Sequence, residues 1–233
     1  MASGDDLPRS TIELIRIKFP FSKVYIAYGL TEIGGRGCIF EANADAKLGG
    51  SVGKPIRGLD VSIKDQNNSK LGSNEIGVIY FSGSYLLKGY LRGSGEIEAF
   101  DEAAEFSTGD VGYIDEYGDL FLLGRSDDVF KVAGKKVSGL AIRRAILESG
   151  LVDDAAVYAV DDPRMATVVV AVVIPRNNEG HTKQALLKYL RGCLPVDHIP
   201  REVISVEKIP RTASGKIQRK SLLTLVNDLK AVN

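Results

Sequence analysis

The sequence has few residues that build covalent or metal frameworks, and it has no excess charge of either sign. Its two cysteines, Cys38 and Cys193, lie far apart and near no histidine at metal-ligand spacing, so the sequence indicates neither a disulfide framework nor a zinc site. The 30 basic and 30 acidic residues balance, so no long-range field attracts nucleic acid or an anionic membrane. We therefore expect a reducing, cytoplasmic setting and no nucleic-acid partner.

Long apolar runs are also missing. No run reaches the roughly 18 residues of a membrane-spanning helix. The polar opening "MASGDDLPRS" is unlike a signal peptide, and the final "LKAVN" is not a peroxisomal S-K-L ending. We expect no membrane span. A chain of 233 residues is long enough for one large domain or two small ones.

The hydrophobic pattern predicts a β-rich first part. Apolar residues recur at helical spacing over residues 10–18, and the runs "VYIAYG", "LDVSIKD" and "EIGVIYFSG" are typical of strands. The stretch "DVGYIDEYGDLFLLG" predicts a hairpin with its turn near Glu116 to Gly118.

After "GRSDDVFK" the pattern changes to an α+β alternation. It predicts a strand pair, a helix over residues 140–149, strands at "DAAVYAV" and "ATVVVAVVIP", and a helix over residues 182–191. A strand at "EVISVEKI" and a last helix after Ser221 follow. We therefore predict a domain boundary near Arg125 to Asp128.

Three motifs carry candidate site residues in the first part. "YGLTE" places the Thr31 hydroxyl beside the Glu32 carboxylate on a turn after a strand, a pair that suits a phosphate and its Mg²⁺, although a plain polar turn is the simpler interpretation. In "STGDVGYID", the Asp110 carboxylate suits the two hydroxyls of a ribose. In "GRSDD", the Arg125 guanidinium suits a ligand or a surface ion pair.

A fourth motif, "PRTASGKIQR", presents Lys216 after a Ser-Gly turn. It is not a Walker-type phosphate loop, because Pro210 and Ile217 stand where that pattern needs a glycine and a serine or threonine. Two interpretations remain open. The stretch is either a solvated loop before a helix or a lysine carried as a point charge to an anionic reaction centre.

The motifs are more specific in series than alone. In order they are "YGLTE", "GSVGKPIRG", "GVIYFSGSYLLKGY", "STGDVGYIDEYGDLFLLGRSDDVFKVAGKKVS" and "IPRTASGKIQRKSLL". The series resembles the adenylate-forming, AMP-binding acyl-CoA synthetase superfamily, near coumarate and medium-chain acyl-CoA ligases and beetle luciferases. The resemblance covers essentially the whole chain. It implies a partial α/β and β-rich adenylation domain at residues 1–125 and a small, mobile α+β domain at residues 126–233.

The resemblance also implies residue roles in a nucleotide site. The ring of Tyr28 packs on adenine, Thr31 and Glu32 meet the ATP phosphates and Mg²⁺, and Asp110 and Arg125 hold the ribose.

The second domain carries the remaining implied roles. Asp127 is the hinge, Lys216 stabilises acyl-adenylate formation, and Lys131 is presented to the second half-reaction. The implied activity is that of an AMP-forming carboxylic acid–CoA ligase, which uses ATP, Mg²⁺ and CoA. A small carboxylic acid is its substrate.

The chain also departs from the family pattern. It lacks the Ser/Thr/Gly-rich phosphate loop that ends in P-K-G upstream, and Asp5 and Asp6 stand where small or apolar residues are common. We therefore expect a shortened, C-terminal half of a synthetase. In "KVSGLAIRRAI", where relatives commonly read V-x-P-x-E-I-E, Gly139, Ala141 and Arg143 replace the proline and both glutamates, which removes acidic residues from the start of a helix.

Shortening has a structural cost and leaves other functions open. Without upstream strands, the strand at Tyr25 and Ala27 would leave an edge and apolar surface exposed, so we expect self-association or a partner that covers them. The alternative function is a non-catalytic module that binds nucleotide or protein. Adenylation that ends in oxidation, as in luciferases, ranks last.

Overall fold

The computed structural model describes residues 2–3, 9–42, 50–100, 105–162, 166–176, 182–212 and 217–232. Within these ranges no helix has the length and apolar character needed to cross a membrane. The predicted catalytic Lys216 lies outside the described residues, as do Asp5 and Asp6. The chain divides into two compact units, Met1–Asp127 and Asp128–Asn233.

The first unit is built on an eight-stranded sheet with the order β1-β2-β3-β4-β10-β9-β6-β5, and β7 and β8 form a separate pair. Most neighbours are antiparallel, and β1 pairs with β2 in parallel. The elements are β1 Ala2–Ser3, α1 Arg9–Lys18, β2 Tyr25–Tyr28, β3 Cys38–Glu41, β4 Ser51–Pro55, β5 Leu59–Lys64, β6 Gly77–Gly83, β7 Gly89–Leu91, β8 Ile97–Ala99, β9 Phe106–Ile114 and β10 Leu120–Arg125.

The predicted hairpin in this unit is confirmed. β9 and β10 pair antiparallel, and the Asp115 carboxylate accepts hydrogen bonds from the backbone N–H groups of Tyr117 and Asp119. This side-chain bonding to the next residues of the chain is the turn chemistry typical of aspartate. The register sets Asp110 opposite Arg125, so the turn brings two candidate site residues together.

Alternation of buried and partly exposed side chains along the strands builds the core of the first unit. Ile79 and Phe81 on β6 and Leu120 on β10 are fully buried in one apolar cluster, as the period of two along a strand requires. The strand predicted to have an open edge, β2, is hydrogen-bonded on both sides at Ile26 and Ala27, by β1 and β3, so that expectation is wrong at these residues.

Apolar surface is nevertheless exposed at α1 and the turn that follows it. Four large side chains there are open to solvent, namely Leu14, Ile17, Phe19 and Phe21. On its other side α1 buries Ile12 against Val24 and Ala42.

The second unit is a three-stranded sheet, β13-β14-β15, with a separate strand pair β11-β12. β13 and β14 are antiparallel, and β14 and β15 are parallel. The elements are β11 Val129–Val132, β12 Lys135–Ser138, α2 Gly139–Glu148, β13 Val152–Asp162, β14 Ala166–Pro175, α3 Thr182–Cys193, β15 Glu202–Ser205 and α4 Arg219–Val232.

Both faces of this sheet are covered. Val169, Ala171 and Val173 on β14 pack with buried residues of α2 and α3, while Val170 and Val172 pack with those of α4. A strand with both faces buried has no polar alternation, which explains the continuous apolar run "VVVAVVI". The α+β fold expected for the second part is therefore confirmed.

Two predicted boundaries need correction. β15 ends at Ser205, which pairs with Val173, rather than continuing to Ile209, because Pro175, the next residue of β14 that would face β15, has no N–H to donate. The last helix begins at Arg219 rather than after Ser221, since the backbone N–H of Leu222 already bonds to the carbonyl of Gln218 at 3.0 Å.

Candidate nucleotide-binding site

Two of the predicted nucleotide-binding residues, Tyr28 and Arg125, converge on the buried carboxylate of a third, Asp110, in the first unit. The Tyr28 hydroxyl donates to Asp110 Oδ2 at 2.5 Å, and Arg125 Nε lies 3.0 Å from Asp110 Oδ1. The Asp110 side chain is only 7% exposed, whereas that of Arg125 is 52% exposed. Arg125 therefore connects a buried carboxylate with the solvent.

The T-G-D motif explains how Asp110 is held. Gly109 has φ +72°, a left-handed conformation that favours glycine. The Thr108 hydroxyl donates to the Ile79 carbonyl at 2.9 Å and accepts from the Asp110 backbone N–H at 3.0 Å. Arg125 Nη1 donates to the Thr108 carbonyl at 2.9 Å. Thr108 and Gly109 therefore fix the backbone at Asp110, and Arg125 links the Thr108 carbonyl to the Asp110 side chain.

Burial has the largest effect on the pKa values of Asp110 and Tyr28. It raises the pKa of the Asp110 carboxyl above its ordinary value, although the Tyr28 hydrogen bond and the Arg125 charge both act to lower it. Burial, followed by the nearby charge of Asp110, also raises the pKa of the Tyr28 phenol. Tyr28 therefore remains a hydrogen-bond donor to Asp110 throughout the physiological pH range.

The Y-G-L-T-E motif forms a tight turn after β2. A 3₁₀ turn spans Thr31–Ile33, and the Gly35 N–H bonds to the Leu30 carbonyl at 2.8 Å. A Cβ added at Gly29 would lie 2.4 Å from the Gly35 backbone, so only glycine fits there. The Thr31 side chain is exposed and that of Glu32 is half-buried. The turn thus presents a hydroxyl and a carboxylate side by side.

A partner of Glu32 was missed by reasoning from sequence. The Tyr90 hydroxyl donates to Glu32 Oε1 at 3.0 Å, and the Leu87 N–H donates to the Glu32 carbonyl at 2.7 Å. The ring of Tyr90 packs edge-on against Phe100 at 5.2 Å between centroids. The only signal in the sequence was the position of Tyr90 inside the quoted run "GVIYFSGSYLLKGY".

The carboxylate of Glu32 and the hydroxyl of Thr31 are oxygen ligands that fit Mg²⁺ bound together with a nucleotide. Over the described ranges, no three His, Cys, Asp or Glu side chains gather closely enough to hold a metal by themselves. Mg²⁺ commonly binds one or two carboxylates and completes its shell with phosphate oxygens and water. A single half-buried carboxylate beside a hydroxyl agrees with that arrangement.

The other predicted site residues lie elsewhere. Asp127 is exposed in the 3₁₀ turn Ser126–Asp128, at the end of the first unit. In the second unit, exposed Lys131 lies opposite Lys136 in the β11-β12 pair. Lys216 is not described, but Arg211 and Ile217, on either side of it, form a β-bridge.

Comparisons with known proteins agree with these motifs. The family model "AMP-binding enzyme" matches residues 1–91, and the model "AMP-binding enzyme C-terminal domain" matches residues 142–216. The two matched ranges together cover more than half of the chain.

Similar curated proteins are acid–CoA ligases. Acyl-CoA synthetase 7 of Caenorhabditis elegans is 28% identical over 96% of this chain and 41% of its own length. 4-Coumarate–CoA ligase 1 of Petroselinum crispum is 29% identical over 95% of this chain and 42% of its own length. The chain therefore spans about two fifths of the length of these curated relatives.

A solved structure has the same fold. ATP-bound MatB from Rhodopseudomonas palustris superposes with a TM-score of 0.79 at 28% identity, over 97% of this chain and 45% of that one. The two family models, the acyl-CoA and coumarate ligase relatives and this superposition show that the chain belongs to the adenylate-forming AMP-binding enzyme family.

Proposed function

We propose that the chain functions as an AMP-forming carboxylic acid–CoA ligase. In the first half-reaction a carboxylate oxygen of the acid attacks the α-phosphorus of ATP and pyrophosphate leaves. In the second, the CoA sulfur attacks the acyl carbon, a thioester forms and AMP leaves. The observation that carries the proposal is the convergence of Tyr28 and Arg125 on the Asp110 carboxylate.

Asp110 and Arg125 are proposed to hold the ribose. A carboxylate has about four lone-pair positions for hydrogen bonds. Tyr28 and Arg125 take one on each oxygen of Asp110, which leaves acceptor capacity for two hydroxyls. The ring of Tyr28 is the proposed adenine contact.

Thr31 and Glu32 are proposed to meet the phosphates and Mg²⁺. The Thr31 hydroxyl can donate to a phosphate oxygen, and the Glu32 carboxylate can take a metal position. When bound, Mg²⁺ offsets the charge that gathers on the phosphates. Tyr90 and the Leu87 N–H limit the freedom of Glu32 to turn away from that position.

The second unit is proposed to supply one lysine to each half-reaction. Lys216 stabilises the charge of acyl-adenylate formation, Lys131 serves thioester formation, and Asp127 is the hinge for the change between them. A cation placed where negative charge develops is effective because it needs no rearrangement during the reaction. These roles follow the family motifs and stay predictions, as does a mobile domain over residues 126–233.

The chain spans about two fifths of the length of its curated relatives. The activity of those whole proteins therefore does not carry over by similarity alone, and catalysis by the 233-residue chain is itself proposed. The proposed substrates are a small carboxylic acid and CoA, and the proposed setting is the cytoplasm. The second candidate function, nucleotide binding without catalysis, is favoured by the same observation, because Asp110 and its partners Tyr28 and Arg125 lie within the first unit.

Calorimetric titration of the full chain with Mg²⁺·ATP and with AMP tests the nucleotide site. We expect micromolar affinity that Asp110→Ala lowers by at least about tenfold, the loss expected from charged hydrogen bonds. Pyrophosphate release with a panel of carboxylic acids then tests catalysis, with Lys216→Ala as the inactive variant. Binding without pyrophosphate release would support the non-catalytic function. A folded chain that binds neither nucleotide would contradict both.

A further inference from the structure

Three charged side chains meet in the second unit. Arg211 Nη2 lies 2.6 Å from Asp154 Oδ2, and Arg143 Nη2 lies 3.4 Å from Asp154 Oδ1. Arg143 also donates from Nε to the Ala155 carbonyl at 2.8 Å. Two guanidinium groups, one from α2 and one from the chain before α4, therefore share one carboxylate on β13.

The carboxylate has a fixed position. Pairing between β13 and β14 is irregular between Val152 and Asp154, and Asp154 Oδ1 accepts the backbone N–H of Ala155 at 2.8 Å. The exposed fractions of the side chains are 16% for Arg143, 22% for Asp154 and 29% for Arg211. Ion pairs with this much shelter are screened less by solvent than pairs on an open surface.

Arg211 stands at the start of the segment that carries Lys216. Its backbone forms a β-bridge with Ile217, and the Gln218 N–H donates to the Pro210 carbonyl at 2.9 Å. The two flanks of the stretch that carries Lys216 are therefore paired at one place. We call this place, formed by Pro210, Arg211, Ile217 and Gln218, the segment base.

The flanks of the segment base are anchored in the core. Ile209, before it, and Leu222, after it, are buried together with Val172 on one face of the sheet. Between these anchors, the described backbone contacts of the segment base are the Arg211–Ile217 bridge, the bond from the Gln218 N–H to the Pro210 carbonyl and the bond from the Leu222 N–H to the Gln218 carbonyl. The ion pair with Asp154 joins the Arg211 side chain to β13.

We propose that Asp154 is a positioning residue for Lys216. It holds Arg211, and so fixes the segment base, while Arg143 holds Asp154. The inference rests on the proposed function only in its last step, in which Lys216 serves acyl-adenylate formation.

The Arg143–Asp154 pair also involves a departure from the family pattern. Arg143 stands where the motif of the relatives commonly has a glutamate. A glutamate at this position would place a like charge beside Asp154, whereas Arg143 places an opposite charge there.

Amide hydrogen exchange of the full chain, followed by NMR, tests whether Asp154 holds the segment base. In Asp154→Asn we expect the Gln218 amide to exchange at least about tenfold faster, with the Val170 and Val172 amides unchanged, because local opening needs less free energy than loss of the sheet. Arg211→Gln should give the same acceleration. Arg211→Lys, which keeps the charge without the guanidinium fork, should give a smaller one.

Asp153→Asn is the matched control. Asp153 precedes Asp154 on β13 and pairs with Arg176 at 2.9 Å, and both side chains are 56% exposed. Its loss should leave the Gln218 exchange rate within about twofold, as expected for a surface pair. An unchanged Gln218 rate in Asp154→Asn overturns the proposal. An equal acceleration at Val170 and Val172 also overturns it, because the whole sheet would then be destabilised.

Separate assays of the half-reactions test the positioning step. Asp154→Asn should slow acyl-adenylate formation, measured by pyrophosphate exchange, at least about tenfold, while thioester formation from supplied acyl-adenylate stays within about twofold. An equal loss of rate in both half-reactions would overturn the role of Asp154 in positioning Lys216. If the wild-type chain forms no acyl-adenylate, the proposed catalytic function fails, and amide exchange alone decides whether Asp154 fixes the segment base.

Discussion

Tyr28 and Asp110, 82 positions apart in the sequence, share a buried hydrogen bond of 2.5 Å. Asp110 also pairs with Arg125, which lies opposite it on the next strand. The bond therefore joins the end of β2 to the β9-β10 hairpin. It makes Tyr28 part of the structure around Asp110 as well as a candidate contact for adenine.

Tyr28→Phe should destabilise the first unit. The variant keeps the ring and removes the hydroxyl donor from a buried carboxylate, so the free energy of unfolding should fall by about 1–3 kcal/mol. Urea denaturation followed by near-ultraviolet circular dichroism measures this change. Tyr25→Phe is the matched control, since its hydroxyl bonds to Glu41 at 3.2 Å in a partly buried position. Equal losses in the two variants would contradict a special role for the Tyr28 bond.

The raised pKa of Asp110 predicts a pH dependence of stability. An acid with a higher pKa in the folded state binds its proton more tightly when folded. Asp110 therefore adds stability below the ordinary aspartate pKa of 3.8, and this contribution is lost as the pH rises through the raised value. The free energy of unfolding of the wild type, minus that of Asp110→Asn, should fall as the pH rises above about 4.

Urea midpoints of both proteins at several pH values measure this difference. Arg125→Gln supplies a second comparison. Removing the guanidinium takes away a charge that lowers the pKa of Asp110. The stability contributed by Asp110 should therefore continue to fall up to a higher pH. A difference that rises with pH would show that the Arg125 and Tyr28 contacts outweigh burial.

Tyr90→Phe should weaken binding of Mg²⁺·ATP. Without the Tyr90 hydroxyl, Glu32 loses a donor that limits its orientation, and one hydrogen bond corresponds to about threefold to tenfold in affinity. Binding of ATP without Mg²⁺ should stay the same, and calorimetry with and without the metal separates the two cases. Tyr85→Phe, an exposed tyrosine of the same unit, is the control. A loss that does not depend on Mg²⁺ would argue against a link between Glu32 and the metal.

Gly109→Ala should destabilise the T-G-D turn. At φ +72° an added Cβ costs about 1–2 kcal/mol in a left-handed backbone, and the strain falls directly beside Asp110. Denaturation and AMP binding should both show the loss. Gly93→Ala is the control, because Gly93 has ordinary φ and an added Cβ would meet nothing within 4 Å. Equal behaviour of the two variants would contradict the role given to Gly109.

Local signals in the sequence predicted much of the fold. The period of two along β5 and β6, the Asp115 turn between β9 and β10, and the unbroken apolar run of β14 are all properties of neighbouring residues. The exposed β7-β8 pair was not predicted, because its short strands lie among glycines and charged residues. Element ends such as Ser205 were also missed, because they depend on the hydrogen bonds that a partner strand can offer.

The sequence by itself determined the family, the α+β character of the second part and the identity of the candidate residues, since these depend on residue types at fixed spacing. Only the tertiary structure decided which of those residues meet. It placed Tyr28 on Asp110, Tyr90 on Glu32, and Arg143 with Arg211 on Asp154. Such contacts join residues far apart in the chain, and strand register and packing, which no short stretch of sequence contains, bring them within hydrogen-bonding distance.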